Sequence, residues 1–179
     1  MHPFNRHLVY FASKSPNDKL QTPYDSLRGY LSIGLNFPVA CILTLGLHVL
    51  YRNTGLFSFA IDIPAVRTTR TMLVGLPLEQ KEYSGVELAR LARPHGVKEQ
   101  MGAVGMWVIA ADAQTGRVSR EDVELYQKGE LMERLEARRR DRRDVVPWWR
   151  GGPIGVAGHS YFVEKLFGVY VYRDDRKEQ

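Results

Sequence analysis

One feature constrains this chain more than any other: a long stretch without charge. Between Arg28 and Arg52 the 23 residues Gly29 to Tyr51 contain no Lys, Arg, Asp or Glu. Its centre, Leu31 to Leu50, is 20 residues long and holds six Leu, two Ile, two Val and one Phe. As a continuous helix, 20 residues reach roughly 30 Å, about the thickness of a bilayer core. On a membrane-insertion scale its Leu, Ile, Val and Phe contribute about −3 to −7 kcal/mol. Ser32, Asn36, Thr44, His48 and two glycines oppose insertion, and Pro38 removes a helix hydrogen bond. Three readings stay open: a spanning helix, a monotopic segment in one leaflet, and a buried core helix. In the first two, Leu31, Leu35, Phe37, Pro38, Leu43, Leu47 and Leu50 face lipid. The run starts too late for a secretory signal. Arg6, Lys14, Lys19 and Arg28 precede it and Arg52, Arg67 and Arg70 follow, so flanking charge assigns no orientation.

The remaining composition is that of a folded chain. Its 179 residues suit one unit (1–179), and a 44% hydrophobic, 25% charged composition excludes wholesale disorder. A lone Cys41 excludes an internal disulfide framework and a multi-cysteine zinc site. The sequence contains no phosphate-binding P-loop, no H-E-x-x-H and no G-x-S-x-G motif. The net charge of +5 is concentrated in Glu133 to Arg143, where six arginines face three acids. Arg138, Arg139, Arg140, Arg142 and Arg143 read either as the solvated end of a helix or as a patch for anionic lipid headgroups. Trp148 and Trp149, residues favoured at membrane interfaces, follow closely. Without an aromatic-basic motif or recognition helix, nucleic acid is not an expected partner.

Local signals predict a mainly α fold. A short helix is expected over Asn5–Phe11 and a polar loop over Ala12–Thr22. A long helix follows over Pro23–Tyr51, started by Thr22 with Asp25 as capping partner and bent near Pro38. Further helices are expected over Ser84–Ala92 and Met101–Ala111. Another starts at Ser119 and runs to about Arg143, with Gly129 softening its middle. Residues 145–179 form a C-terminal extension without assigned role, amphipathic or β-prone over His159–Arg173. Helix, polar loop and capped helix thus occur twice, the outline of an EF-hand pair joined through short strands near Leu20 and Val118. The ligands are degenerate. An EF-hand loop wants oxygen donors at positions 1, 3 and 5, Gly at 6 and Glu at 12. The first loop starts at Ala12 and carries Lys14 and Lys19; the second keeps Asp112 and Gly116 but is one residue short. Calcium is not an expected ligand.

These motifs, in this order, resemble the caleosin family of lipid-droplet haem peroxygenases. His7-Leu8-Val9-Tyr10-Phe11 resembles the family's entry to its EF-hand. Thr22-Pro23-Tyr24-Asp25-Ser26-Leu27-Arg28-Gly29-Tyr30 is similar to its Tyr-Pro-Trp-Glu-Thr-x-x-Gly helix start. The uncharged run with Gly34, Leu35 and Asn36 matches its membrane segment, and Leu56 to Ile63 the stretch that follows. Trp107 to Ala111, Gly116, Val118, Ser119 and Glu121 are similar to its second lobe. Leu125 to Met132 resembles its Tyr-Asp-Gly-Ser-Leu-Phe signature. Together these cover about residues 5–70 and 98–140.

The resemblance implies a lipid-droplet or endomembrane protein in which haem transfers oxygen from a fatty hydroperoxide to an unsaturated lipid, with His7 on the iron. Three departures accompany it. The family's second histidine has no counterpart in Pro64 to Arg70, its proline-rich knot is reduced to Asn53-Thr54-Gly55, and nothing matches after Trp148. His48, His95 and His159 are the other candidate ligands, His95 in an expected exposed turn, while His2 is expected to be terminal. The rival readings are a non-catalytic lipid-surface coat that has lost calcium and haem, and a soluble helical domain whose apolar run is core.

Overall fold

A computed structural model describes residues 1–13, 19–55, 58–68, 71–140 and 145–172. The described residues form eight α-helices and two two-stranded ribbons, so the mainly α class holds. Helix α1 (Pro3–Ala12) buries Phe4, His7, Leu8 and Phe11, the i, i+3, i+4, i+7 stripe of an amphipathic helix. His2 caps it, accepting a hydrogen bond from the Phe4 N–H at 3.2 Å, so His2 is tied down rather than loose. Strand β1 (Leu20–Gln21) leads into helix α2 (Pro23–Ser32). Thr22 and Asp25 form the expected reciprocal capping box, with Pro23 in the first turn.

The expected long helix is instead two. α2 stops at Ser32, and α3 (Phe37–Tyr51) begins afresh with Asn36 as its cap, accepting from the Val39 N–H at 3.0 Å. Gly34, between them, has φ +78°, a left-handed conformation that glycine adopts without a Cβ penalty. Pro38 therefore sits in the first turn of α3, where its missing N–H removes no helix bond. At 15 residues α3 is roughly 22 Å long, short of a bilayer core. No helix of the described residues is long and apolar enough to cross a membrane.

Strand β2 (Ile61–Asp62) pairs antiparallel with β1, Leu20 opposite Asp62. Strand β3 (Glu82–Tyr83) pairs with β4 (Val118–Ser119), Tyr83 opposite Val118. The expected pairing of the strands near Leu20 and Val118 with each other is not formed. Each ribbon is extended by one backbone bond, Ile63 to Lys19 and Arg120 to Lys81. Helix α4 (Gly85–Ala92) packs on α5 (Val97–Ala110). The expected helix from Ser119 to Arg143 also divides. α6 (Arg120–Lys128) ends on Gly129 in the left-handed conformation (φ +79°), and α7 (Leu131–Arg140) follows. A Cβ on Gly129 would lie 2.5 Å from the Pro3 carbonyl oxygen, so this glycine also admits the start of α1. The core joins α1, α2, α5, α6 and α7 through Leu8, Phe11, Leu31, Ile109, Val123 and Leu135.

Two arginines of the run, Arg138 and Arg139, serve the interior. Arg139 has no exposed surface and donates to the carbonyls of Ile33 and Ile109, at the ends of α2 and α5. Arg138 donates to the Ala110 carbonyl (3.1 Å) and pairs with buried Asp122 (2.9 Å). Arg150, from the C-terminal segment, donates to the carbonyls of Ala111 and Asp112. The last carbonyls of a helix lack intrahelical partners and carry its negative dipole end, so three guanidinium groups there satisfy both needs. This corrects the reading of Arg139 as a headgroup ligand: a cation held between two helix ends cannot reach lipid. Arg140 is exposed and pairs with Glu136, while Arg142 and Arg143 lie outside the described residues. The C-terminal segment is equally integral. Asn36 donates to the Gly151 and Gly152 carbonyls (2.6 and 3.0 Å), and α8 (Val156–Phe167) is helical where a β-prone segment was an alternative.

Arg139→Ala leaves the Ile33 and Ile109 carbonyls without this donor. Each buried polar group stranded costs roughly 1–3 kcal/mol, so the expected loss is about 2–6 kcal/mol. Urea denaturation measures it; a loss below about 1 kcal/mol contradicts the capping role.

Candidate functional site

Helices α1, α3 and α5 enclose an apolar cavity of about 300 Å³, at the lower end of the range for small-molecule sites. His7 and Tyr126 lie in its wall beside Phe4, Phe11 and Tyr30. The α3 side is formed by Leu43, Gly46, Leu47 and Leu50, and the α5 side by Met101, Gly102, Gly105 and Met106. Lys98 also lines the cavity, with its ammonium 5.9 Å from the Tyr51 ring centre. Met72 enters from the segment after β2 with φ +53°, followed by Leu73 at φ +60°. Two consecutive non-glycine residues in this conformation are strained. The Thr71 N–H donates to buried Glu99 (2.7 Å) and Gln127 donates to the Leu73 carbonyl (2.7 Å), which hold the turn in place.

His7, expected from the sequence, is buried in this wall. Its Nε2 lies 3.3 Å from the Tyr126 carbonyl oxygen. A carbonyl only accepts, so Nε2 carries a proton in this contact. A carbonyl-held imidazole is the second-shell arrangement of a metal-binding histidine. The Tyr126 ring stands 5.2 Å from the His7 ring, centre to centre.

The other histidines do not join it. His48 faces away from the cavity into the contact between α2 and α3. Gln21 donates to the Ser26 hydroxyl (2.7 Å), which bonds His48 Nε2 (2.7 Å), and His48 Nδ1 donates to the Phe59 carbonyl. With both nitrogens engaged, His48 is a structural residue and not a second ligand. His159 is on α8, and His95 is in an exposed turn after α4. No group of three or more metal-ligating His, Cys, Asp or Glu residues occurs among the described residues. In the second loop Asp112 accepts from the N–H groups of Gln114 and Thr115, both at 2.8 Å, and the N–H of Thr115 is the main cause holding its carboxyl below the usual range. Lys14 to Asp18 of the first loop lie outside the described residues.

The residues expected to face lipid divide by depth. Leu31 and Leu35 are fully buried in protein, because they belong to α2 and the turn after it. Leu43 and Leu47 are half-buried on the cavity, while Phe37, Pro38 and Leu50 are exposed. Within α3 the polarity is inverted. Its buried positions are Ala40, Thr44 and His48; its exposed ones include Ile42 (69%), Leu45 (60%) and Val49 (55%). Apolar exposure continues on α5 at Val97, Met101 and Val104, and on α8 at Tyr161, Phe162 and Leu166. Phe162 and Phe167 of α8 stack about Phe37 at the start of α3. Sequence reading missed Lys98, Met72 and the α5 wall, which lie far apart along the chain and share no motif.

No family model, curated protein or solved structure matches this chain.

Burial drives the imidazoles of His48 and His159 below their ordinary value; for His48 the Phe59 carbonyl and Asp25 oppose this. A histidine with a lowered folded pKa stabilises the fold fully above the unfolded value near 6.5. That stability is lost as pH falls through the lowered folded value. The urea midpoint is therefore expected to fall from about pH 7.5 to about pH 5. A His48→Gln, His159→Gln variant should lose most of that dependence; an unchanged slope rules these two groups out as its source.

Proposed function

We propose that this protein works at a lipid surface, with α3 lying in one leaflet of a membrane or in the monolayer of a lipid droplet. The inverted polarity of α3 carries this reading. A helix that buries Ala, Thr and His and presents Ile, Leu and Val is solvated by hydrocarbon rather than water. Its length suits a monotopic segment and not a span. Each half-exposed Ile, Leu or Val moved from water into lipid gains on the order of 1 kcal/mol. The exposed aromatics of α8 and the Trp148–Trp149 pair extend the apolar surface with side chains suited to the interface.

A purified chain mixed with neutral phosphatidylcholine vesicles should float with them, before and after a high-salt wash. Ile42→Asp, Leu45→Asp and Val49→Asp together touch exposed positions only and should reduce the floated fraction at least about tenfold. If the triple variant floats like the wild type, α3 is not the contact.

A second reading, a caleosin-like haem peroxygenase, is favoured by the carbonyl-held His7 inside an apolar cavity. In it, the α1–β1–α2 and α5–β4–α6 units are degenerate EF-hand-like lobes. Haem, when bound, would supply oxygen transfer from a fatty hydroperoxide to an unsaturated lipid. His7 would hold the iron, with its ring fixed by the Tyr126 carbonyl. Phe4, Phe11 and Tyr30 would keep water from the site, and Lys98 would pair with a carboxylate. A porphyrin is wider than a cavity of about 300 Å³ admits, so the cavity as it stands does not fit haem. Against the haem reading also stands the missing second histidine, which favours the coat reading.

Haem titrated into folded protein should give a Soret band that His7→Ala abolishes and His95→Ala leaves unchanged. Cyanide should shift that band if the iron has one exchangeable position. Absence of haem uptake by the folded chain leaves the lipid-coat reading alone.

A further inference from the structure

The chain contains five methionines, and all except Met1 line the single cavity described above: Met72, Met101, Met106 and Met132. They come from three different segments, the turn after β2, α5 and α7, so no sequence motif gathers all four. Met72 and Met106 are each 1% exposed and Met132 is nearly as buried, while Met101 stands open beside the cavity's α5 wall. Met72 is placed there at the cost of a strained backbone. A thioether is the one side chain of an apolar wall that a two-electron oxidant attacks without a cofactor.

The wall opposite Met106 is α3, the helix whose outer face is apolar. An oxidant dissolved in hydrocarbon would meet the cavity beside α3, where Gly46 and Gly105 line it. A Cβ at either glycine would meet nothing within 4 Å, so these positions are open. A water-borne oxidant meets Met1 and Met101 first.

We propose that the cavity methionines are a modification site for apolar organic hydroperoxides, which they reduce to alcohols. In the step R–O–O–H + R′–S–CH₃ → R–OH + R′–S(=O)–CH₃, a sulfur–oxygen bond forms and the oxygen–oxygen bond breaks. Sulfur loses two electrons, the peroxide gains them, and the hydroperoxide proton ends on the departing alkoxide oxygen. The product sulfoxide is polar in an apolar wall, so the reaction loosens the packing of α3 on α5. The inference rests on the lipid-surface reading for the source of the oxidant, and it requires no haem.

The test uses the full chain in solution, free of haem by its absorption spectrum. Cumene hydroperoxide and hydrogen peroxide are compared, and sulfoxide at each methionine is read by peptide mass spectrometry with Met1 as the exposed reference. Oxidation of Met106 and Met132 relative to Met1 should be at least about tenfold greater with cumene hydroperoxide than with hydrogen peroxide. Gly46→Leu and Gly105→Leu, which fill the opening, should remove that preference without changing the hydrogen peroxide pattern. Equal ratios for the two oxidants overturn the proposal, as does a folded Gly46→Leu or Gly105→Leu chain that keeps the preference. The wild-type comparison decides alone should a variant not fold. Vesicle flotation of the same preparation separates the two claims: a chain that floats but shows equal ratios has lost only the methionine chemistry.

Discussion

The C-terminal end of α5 holds this structure together. Four successive carbonyls, from Ile109 to Asp112, point to where α2 ends and the C-terminal segment returns. Helix ends of this kind, buried, need donors of positive charge. Arg138, Arg139 and Arg150 supply them from two different segments, and Arg139 adds the Ile33 carbonyl of α2. One guanidinium thereby ties the end of α2 to the end of α5, close to α3, which begins four residues after Ile33 in the sequence. Planarity matters here: a guanidinium can donate to two carbonyls in different directions, which a lysine ammonium on a flexible stem does less selectively.

From that junction the two sides of α3 acquire opposite characters. Its Thr44–His48 side is held against α2 by the polar chain from Gln21 through Ser26 to Phe59. Its other side exposes Ile42, Leu45 and Val49 among the described residues, and its inner edge forms the wall of the His7 cavity. The same helix thus closes a site and exposes a surface that hydrocarbon would solvate. Cavity and exposed apolar face are neighbours on α3, which contributes Leu43 and Leu47 to the one and Leu45 and Val49 to the other.

Much of the architecture was legible in local signals. The Thr22–Asp25 capping box, the Ser119 cap and the α1 stripe of Phe4, His7, Leu8 and Phe11 are short-range features, and they form as their spacing requires. Breaks were less legible. Gly34 ends α2 because its left-handed φ is needed to bring Ile33 onto Arg139 and Leu35 into the core, a demand visible only with the partner in place. Gly129 ends α6 because the start of α1 passes within contact of it. Likewise, a charge run reads as solvated surface until the carbonyls that bury Arg139 are known.

By itself the sequence determined the helical class, the uncharged segment, the capped helix starts and the candidacy of His7. Those properties depend on residues a few positions apart, whose spacing is written in the chain. Only the tertiary structure decided that the uncharged segment is two helices, that Arg139 faces inward, that His48 is structural, and that four scattered methionines share one cavity with His7 and Lys98. These are contacts between residues separated by tens of positions. Their partners are chosen by which helix ends and apolar faces the packing brings together, and no local pattern encodes that choice.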